Sequence, residues 1–404
     1  IPHQGNVNGS VYGETVTVSN QVIITGNVIS ESSVNLINHS SVGNNICAGG
    51  DVDMDNHTEV GGDITAHGNV RVGSNDSIVR GDIFASGDVT VENLSEVEGD
   101  VHAGGDVILY GNDSIIHGNV YAQGQVILRS NRSQILGDVY SGNDVILEWD
   151  TTIEGNTRSE GDIDLSGGNN LIEGNAIAGG EITLGWESQI LGSQSNNVSD
   201  PGVITPTPPE TCPEVPKPNQ STINPGTNDI SIGWQQDESI SPGAYGNLQS
   251  DGKNEIYFTR SSTGQCRFDF QSMSFSWDMD LYLDLSNCEN DEGQPGGITI
   301  FSEDDINFGG KMSIYVKNAT MSSYESMHDI SYNVAKRIYW ETHDNFYQGS
   351  QSEWYGTILA GNNITFDSTD MRIIGAYATV NGTVTTGHSS YVTYILSNYA
   401  AENW

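Results

Sequence analysis

The feature that most constrains the fold is a short repeat of glycine, an acidic or amide residue and an aliphatic residue. Successive units begin 18 or 19 residues apart, at Gly62, Gly81, Gly99, Gly118, Gly137 and Gly155. Units of about 20 residues filled with short β-type segments are typical of solenoids, because one unit cannot bury its apolar face alone and must stack on its neighbours. The repeat therefore predicts a stacked β-solenoid.

The residues within one unit predict its shape. Val120 and Ala122 lie two residues apart, and so do Val126 and Leu128, which is the spacing of strands with one inward face. Ile135 supplies an inward position on a third side. Glycine and Asp or Asn at the corners suit tight turns. The sequence therefore predicts a three-sided parallel β-helix of about ten coils, with equivalent residues roughly 4.8 Å apart along the axis.

Proline marks the boundary between two predicted domains. Eight of the 11 prolines lie between Pro201 and Pro225. So many missing amide donors would break a β ladder, whereas they favour extended polyproline conformation. The sequence predicts a β-solenoid over 1–192, a semi-rigid proline-rich linker over 193–228 and an aromatic-rich β domain over 229–404.

The second predicted domain has longer strands and fewer clear repeats. Residues 274–285 alternate, which predicts one buried face made of Phe275, Trp277, Met279, Leu281, Leu283 and Leu285. A 19-residue step between Gly356 and Gly375 predicts further solenoid-like coils over 354–387. Residues 327–346 have apolar residues near helical spacing, and a helix is predicted there. The predicted fold class is otherwise all-β.

The charge of the chain excludes several classes of partner. The formal net charge is −39, from 14 Lys and Arg against 53 Asp and Glu. Such a balance argues against binding nucleic acid or an anionic membrane surface. No apolar run approaches the roughly 20 residues of a membrane-spanning helix. The chain begins with Ile1 rather than Met, as expected of a secreted product whose signal has been removed, so we expect an extracellular or cell-surface location.

Four cysteines allow two disulfides. Cys266 and Cys288 lie 22 residues apart beside strand-like sequence and are predicted to pair. Cys47 belongs to an early coil, whereas Cys212 lies in the linker, roughly 35 to 40 Å away along the axis if coils stack at strand spacing. These two can pair only if the linker runs back along the rod, or if they join two molecules.

Asparagines form a column with the glycosylation pattern Asn-x-Ser/Thr. One triplet per coil begins at Asn38, Asn56, Asn75, Asn93, Asn112 and Asn131, and six others begin at Asn8, Asn197, Asn219, Asn318, Asn363 and Asn381. Glycosylation would place sugars along one edge of the rod. The alternative is that Asn and Ser only form hydrogen bonds in a repeated turn.

Aspartates form two further columns, one at Asp63, Asp82, Asp100 and Asp138 and the other at Asp51, Asp88, Asp106, Asp144 and Asp162. Like charges about 5 Å apart repel unless they are screened or bridged, so Ca²⁺ between coils is one interpretation of these columns. The other is simple turn capping by Asp, which we favour. The acidic loop that contains Asp284, Asn287, Glu289 and Asp291 is the better Ca²⁺ candidate.

The sequence offers little for catalysis. It has no nucleophile elbow, phosphate-binding loop or zinc signature, so we expect no enzyme activity and no cofactor other than the candidate Ca²⁺. Aromatic residues between Tyr332 and Tyr355 are either the core of the second domain, which we favour, or a face that contacts sugars or proteins.

Two resemblances carry functional expectations. The repeated Gly-Asp-Val-x-Ala-x-Gly-Asp-Val units resemble bactofilins, which implies a three-sided β-helix whose coils stack end to end into filaments. The sequence Trp-Tyr-Gly-Thr-Ile-Leu-Ala-Gly-Asn-Asn-Ile, which starts at Trp354, is similar to β-solenoid domains of bacterial surface and minor-pilin-like proteins.

We therefore expect a secreted structural protein that forms a homo-polymer, either an extracellular filament, a pilus-like appendage or a sheath. Regular stacking and the open strand edges at the ends of a solenoid favour this hypothesis. In particular, residues 15–18 of the first coil carry no proline or lysine that would block pairing. The alternative is a cell-surface or pilus-tip adhesin whose C-terminal domain binds surface glycans or matrix proteins.

Overall fold

Parallel β-strands make up almost all of the regular structure. The structure is a computed structural model, and it describes residues 5–129, 131–215, 218–290, 295–326, 332–349, 353–367, 372–386 and 391–394. Within these ranges the one α-helix is the four-residue Tyr332–Ala335. In the same ranges, no helix has the length and apolar character needed to cross a membrane. The predicted all-β class is confirmed.

The chain forms two units. The first solenoid is the unit Gly9–Val215, and the second solenoid is the unit made of Ile1–Asn8 together with Pro216–Trp404. The N-terminal strand Gly5–Asn8 pairs in parallel with strand Tyr391–Tyr394 and so belongs to the second solenoid.

The first solenoid has three sides, each a parallel sheet. Sheet I contains Val22–Ile24, Ser41–Val42, Glu59–Val60, Ile78–Val79, Glu96–Val97, Ile115–Ile116, Gln134–Ile135, Thr152–Ile153, Leu171–Ile172 and Gln189–Ile190. Sheet II, with 11 strands, contains Val11–Gly13, Val28–Ser30, Ile46–Ala48, Ile64–Ala66, Ile83–Ala85, Val101–Ala103, Val120–Ala122, Val139–Ser141, Thr157–Ser159, Ala176–Ala178 and Gln194–Ser195. Sheet III, with ten strands, contains Val16–Val18, Val34–Leu36, Val52–Met54, Val70–Val72, Val89–Glu92, Val107–Tyr110, Val126–Leu128, Val145–Leu147, Ile163–Leu165 and Ile182–Leu184.

Each coil places equivalent residues in register with the next. Val101 pairs with Val120, and Val120 pairs with Val139. The inward positions are aliphatic and almost fully buried, as for Val126 and Leu128 at 0% exposure. Because successive strand residues point to opposite faces, the period-2 pattern of the sequence fills one continuous core. The prediction of three short strands per coil is confirmed.

Glycine is required where the backbones of neighbouring coils meet. A Cβ atom on Gly137 would lie 2.4 Å from the carbonyl oxygen of Gly118. That distance is far below a van der Waals contact, and the atom it meets belongs to the backbone. The recurrence of glycine at this corner therefore follows from the close stacking of the coils.

Oxygen ladders, defined as columns of Asp and Asn side chains at two corners, connect the coils of the first solenoid. In each ladder the Oδ1 atom accepts a hydrogen bond from the backbone N–H of the equivalent residue one coil later, as between Asp82 and Asp100 at 2.7 Å. One ladder comprises Asn27, Asn45, Asp63, Asp82, Asp100, Asn119, Asp138, Asn156 and Asn175. The other includes Asp51, Asn69, Asp88, Asp106, Asp144 and Asp162.

The second solenoid has the same kind of coil with longer strands. Sheet IV contains Ile230–Ile232, Asn247–Ser250, Ser272–Phe275, Ile306–Phe308, Phe346–Gly349, Ile364–Asp367 and Val384–Thr386. Sheet V contains Glu238–Ile240, Asn254–Phe258, Met279–Asp284, Met312–Lys317 and the antiparallel Glu325–Ser326. Sheet VI contains Gly243–Ala244, Cys266–Phe270, Ile298–Ser302, Ile338–Thr342, Thr357–Ala360 and Tyr377–Thr379. Sheet VII contains Gly5–Asn8, Tyr391–Tyr394, Arg372–Gly375 and Glu353–Tyr355.

Large aromatic rings fill the core of the second solenoid. Trp340 and Trp354 are both 0% exposed, with ring centroids 5.2 Å apart. Tyr339, Phe346 and Tyr355 are also buried. The aromatic residues between 332 and 355 whose side chains are described thus belong mainly to the core, which is the interpretation favoured from sequence.

Two local predictions for the second solenoid are wrong. The predicted helix over 327–346 is limited, among its described residues, to Tyr332–Ala335, and strand Ile338–Thr342 follows it. The alternating pattern places Trp277 on a buried face with Phe275 and Met279, but the structure shows Trp277 at 57% exposure. The chain turns a corner between strands Ser272–Phe275 and Met279–Asp284, so one unbroken alternation spans two sides of the solenoid.

Candidate self-assembly end of the first solenoid

The last coil of the first solenoid has open strand edges. Strands Ile182–Leu184, Gln189–Ile190 and Gln194–Ser195 each pair with the preceding coil and end their sheets. Among the described residues no further strand pairs with their outer edges, whose backbone donors and acceptors are thus open to pairing with another chain. Residues 182–195 contain no proline, lysine or arginine, which are residues that commonly block such pairing.

The apolar core continues to this end and is exposed there. Leu184 pairs in register with Leu165. Leu165 and the equivalent residues of the earlier coils are 0 to 1% exposed, whereas Leu184 is 43% exposed. In the same way Ile190 is partly exposed, although its partner Ile172 is 0% exposed. Trp186, at the corner of the last coil, is 66% exposed.

We call the surface formed by Ile182, Leu184, Trp186 and Ile190 the open end. It combines exposed core positions with unpaired strand edges, so a further β coil placed on it would gain both apolar burial and backbone hydrogen bonds. The sequence predicted open edges in general and pointed to residues 15–18. There the inward Val16 and Val18 are only 5% and 0% exposed, whereas the inward Leu184 at the opposite end of the first solenoid is 43% exposed.

The predicted glycosylation column lies on the corner between sheets III and I. The residue after each asparagine often has a left-handed backbone, as at His57 and Asp113, with φ of 54° and 57°. The side-chain amides of Asn56 and Asn75 donate hydrogen bonds to the preceding asparagine of the column, at 3.4 and 3.1 Å. Asn112 and Asn131 are exposed, and the other members of the column are half-buried.

The third residue of each triplet in this column points inward. Ser40, Thr58, Ser77, Ser95, Ser114 and Ser133 are 0 to 1% exposed. The hydroxyl of Ser77 donates to the carbonyl oxygen of Asp55 at 2.8 Å, and that of Ser133 donates to Gly111 at 2.9 Å. Corner packing therefore explains the Ser and Thr of the pattern without sugars. Glycosylation of these asparagines, and of the six outside the column, stays a prediction.

The aspartate columns correspond to the oxygen ladders. Their carboxylates cap the amides of the next coil rather than amides of their own turn, as the hydrogen bond from Asp82 N–H to Asp63 at 2.9 Å illustrates. In the part of the chain that the structure describes, no group of three His, Cys, Asp or Glu side chains is arranged to hold a metal ion.

The candidate Ca²⁺ loop is partly described. Asp284 accepts a hydrogen bond from Ser286 N–H at 2.9 Å, and the Asn287 amide donates to the Arg260 carbonyl oxygen at 2.7 Å. Glu289 lies in an isolated bridge with Pro295, and Asp291 lies outside the described residues. Calcium binding at this loop stays a prediction.

The structure contains the predicted disulfide and the one that the sequence left open. Cys266 is bonded to Cys288 in the second solenoid. Cys47 is bonded to Cys212 within the chain, because the linker runs back along sheet II. Along this path Arg158 Nη1 donates to the Pro201 carbonyl oxygen at 2.8 Å. The linker segment therefore lies against the first solenoid, whereas the sequence predicted a spacer.

His102 lies on the linker path and accepts a hydrogen bond at Nδ1 from the N–H of Thr207, at 3.1 Å. Burial lowers the pKa of His102, and the carboxylates of Asp100 and Asp82 oppose this shift. The ring stacks on Tyr121, with centroids 4.5 Å apart. Since a protonated Nδ1 cannot accept a hydrogen bond, the neutral form holds the linker.

The contact between His102 and Thr207 is expected to weaken in acid. A folded-state pKa below the ordinary value of about 6.5 means that the stabilisation is complete above that pH and is lost as the pH falls through the folded pKa. Thr207→Pro removes the N–H donor and should raise the pKa of His102 towards its ordinary value, as measured by NMR titration. Thr205→Pro is the control and should leave it unchanged. An equal His102 pKa in the wild type and Thr207→Pro would contradict the role of this hydrogen bond.

Part of the first solenoid is similar to a known protein family. Residues 52–148 match the model of the bactofilins, which are described as polymer-forming and cytoskeletal. This role is structural rather than catalytic. The match covers coils of the first solenoid only, and there the predicted bactofilin-like β-helix repeat is confirmed. No curated protein and no solved structure matches the chain.

Proposed function

We propose that this chain is a structural protein that assembles with copies of itself into a filament through the open end of the first solenoid. The observation that carries the proposal is the exposure of Leu184, at 43%, in a row of residues that is otherwise buried. The match of residues 52–148 to a polymer-forming family supports it.

The physical argument rests on the edges of three sheets. Strands that end a sheet need a partner or a protective feature, and the last coil has neither proline nor lysine. Burying a leucine side chain contributes about 1.5–3 kcal/mol, and backbone pairing adds to this. Each added copy would thus bury an apolar surface that the single chain exposes.

We further propose that the filament is extracellular, as an appendage or a sheath. The two disulfides support an oxidising compartment, since disulfides are rare in reducing cytosol. The load of 53 acidic residues suits a surface in contact with salt or divalent cations. Immunogold labelling of intact cells measures this location, and labelling only after permeabilisation would contradict it.

The adhesin alternative has less support. An aromatic face between residues 332 and 355 would favour it, but the rings of Trp340, Phe346 and Trp354 lie in the core at 0% exposure. We therefore do not assign the second solenoid a binding function for surface glycans or matrix proteins.

Leu184→Glu is expected to raise the protein concentration needed for assembly by about 10- to 100-fold, because the lost leucine burial of 1.5–3 kcal/mol corresponds to that factor. Sedimentation velocity over a concentration series, together with negative-stain microscopy, measures the change. Leu94→Glu is the matched control, since Leu94 is 41% exposed and lies in the middle of the first solenoid.

The result expected for the control is unchanged assembly. If Leu184→Glu and Leu94→Glu assemble like the wild type, or if the wild type stays monomeric at all salt concentrations, the open end is not an assembly surface. Far-UV circular dichroism establishes that both variants keep the β fold.

A further inference from the structure

A lateral face of the first solenoid carries stacked aromatic side chains. Phe84, His102, Tyr121 and Tyr140 occupy one outward position of sheet II in successive coils. Their ring centroids are 5.0, 4.5 and 5.1 Å apart, and neighbouring rings are within 3° of parallel. We call this row the aromatic ladder. It is separate from the open end, which lies on the last coil.

The segment 201–212, which we call the proline strap, runs along the same outward row. Its start is held by Arg158, one coil beyond Tyr140. Its middle is held by His102 through Thr207. Its end is held by the disulfide between Cys47 and Cys212. The order of these contacts shows that the strap runs from the later coils of the first solenoid back towards the earlier ones.

The length of the strap fits this path. Six coil steps separate the strands that contain Arg158 and Cys47 in sheet II, or about 29 Å at strand spacing. Eleven residue steps of polyproline helix span about 34 Å. An extended proline-rich chain therefore covers the whole path with little slack. Flat aromatic rows are the surfaces on which proline-rich segments dock in known recognition modules.

The strap begins with a specific turn. Asp200 Oδ1 accepts a hydrogen bond from Gly202 N–H at 3.0 Å. Gly202 has a φ of 71°, in the left-handed region, and a Cβ atom there would lie 3.2 Å from Arg158 Nη1. Glycine is thus suited to position 202, where the chain turns back and begins to run along the outward face of sheet II.

The directed contacts of the strap are few and local. Beyond the disulfide, hydrogen bonds at Pro201 and Thr207 hold the strap on this face, and Ile204 is 50% exposed. All of these contacts join the strap to sheet II alone. The segment before the strap is tied to its own chain by hydrogen bonds from Asn197 and Val198 N–H to the carbonyl oxygens of Gly180 and Ala178, at 2.7 and 3.0 Å. A strap from another copy can make the same contacts with sheet II once these two hydrogen bonds open.

We propose that the aromatic ladder is a docking face for the proline strap of a second copy as well as its own. The Cys47–Cys212 disulfide locks the strap in either arrangement. When the disulfide is reduced, straps exchange between chains and join neighbouring copies side by side. This lateral link goes beyond assembly through the open end.

Formation of the lock is a thiol–disulfide exchange. Glutathione disulfide takes the two electrons and two protons released when the thiols of Cys47 and Cys212 join, and it leaves as two glutathione thiols. The reverse reaction, with glutathione as reductant, opens the lock. The step therefore needs a thiol–disulfide couple in the surroundings and no other reactant.

The test uses two full-length variants that cannot lock themselves. Cys47→Ser keeps only Cys212 of the pair, and Cys212→Ser keeps only Cys47. The two variants carry tags of different size, are mixed with reduced glutathione, and are then returned to an oxidising glutathione buffer. The expected result is a disulfide-linked heterodimer on a non-reducing gel, with a Cys47–Cys212 peptide identified by mass spectrometry.

A matched pair of substitutions tests the role of the aromatic ladder. Tyr121→Ser in the Cys212→Ser copy should lower the heterodimer yield at least threefold at equal time. Tyr110→Ser should leave it unchanged, since Tyr110 is 57% exposed on sheet III rather than on the face under the strap. Circular dichroism establishes that both copies keep the β fold.

Two results would overturn the proposal: no heterodimer above the level of Cys212–Cys212 dimers, or equal yields for the two tyrosine variants. The proposal is separable from assembly through the open end. Leu184→Glu introduced into both copies is expected to leave the heterodimer yield unchanged, and a loss of yield there would show that exchange requires the open end.

Discussion

Trp340→Ala is expected to destabilise the second solenoid by about 3–5 kcal/mol, the usual cost of removing a large buried ring. The indole is 0% exposed and meets Phe258, Phe308 and Trp354 edge-on at centroid distances of 6.4, 6.0 and 5.2 Å. These rings are fixed in strands whose spacing the sheets set, so the cavity can collapse only in part. Urea unfolding followed by far-UV circular dichroism measures the loss.

Two further variants test whether the loss comes from the burial of the Trp340 ring or from its indole N–H group. Trp277→Ala removes the same side chain from a site that is 57% exposed and should cost no more than about 1 kcal/mol. Trp340→Phe should cost much less than Trp340→Ala, because the indole Nε1 has no hydrogen-bond partner among the described residues, so its loss breaks no hydrogen bond. Equal losses for Trp340→Ala and Trp277→Ala would refute the packing described here.

Gly137→Ala is expected to destabilise the first solenoid by about 1–3 kcal/mol, the range for forcing a methyl group into a packed site. The new Cβ would lie 2.4 and 2.5 Å from the carbonyl oxygen and carbon of Gly118. These are backbone atoms of the preceding coil, and moving them would disturb the hydrogen bonds of the neighbouring strands. The thermal midpoint of the first solenoid, followed by circular dichroism, should fall.

Gly13→Ala provides the comparison for this substitution. Its closest neighbour is a side-chain methyl of Val16 at 3.2 Å, which can shift at small cost. We expect its midpoint to stay near that of the wild type. A Gly137→Ala protein that melts like Gly13→Ala would show that coil stacking does not require glycine at this corner.

The regular coils could be predicted from sequence because each residue contacts the equivalent residues of the coils before and after it. The residues equivalent to Val120 and Ala122 point inward in neighbouring coils as well, and Gly118 lies against the equivalent glycine of the next coil. Local pattern and tertiary environment therefore agree over the whole first solenoid. The less regular second solenoid gave weaker signals, since its strands differ in length and its core is built from single large rings.

Features that depend on distant contacts were missed. The polyproline composition of residues 201–212 predicts an extended chain, but nothing in it states that the chain lies on His102 and Arg158. Trp277 continues an alternating pattern across a corner, and pattern alone does not locate corners. The open end was only partly predicted, because exposure of Leu184 follows from the absence of a further coil and not from the residue itself.

The oxygen ladders allow the charge of the first solenoid to change without a change in its fold. Asp100 and Asn119 occupy equivalent positions and accept the same hydrogen bond through Oδ1, at 2.6 and 2.8 Å. Exchanging one for the other changes the charge by a full unit while the geometry needs only the shared oxygen. The ladder therefore leaves the surface charge density of the first solenoid free to vary, since replacing Asp by Asn at one of its positions weakens the repulsion between neighbouring coils and keeps the hydrogen bond that joins them.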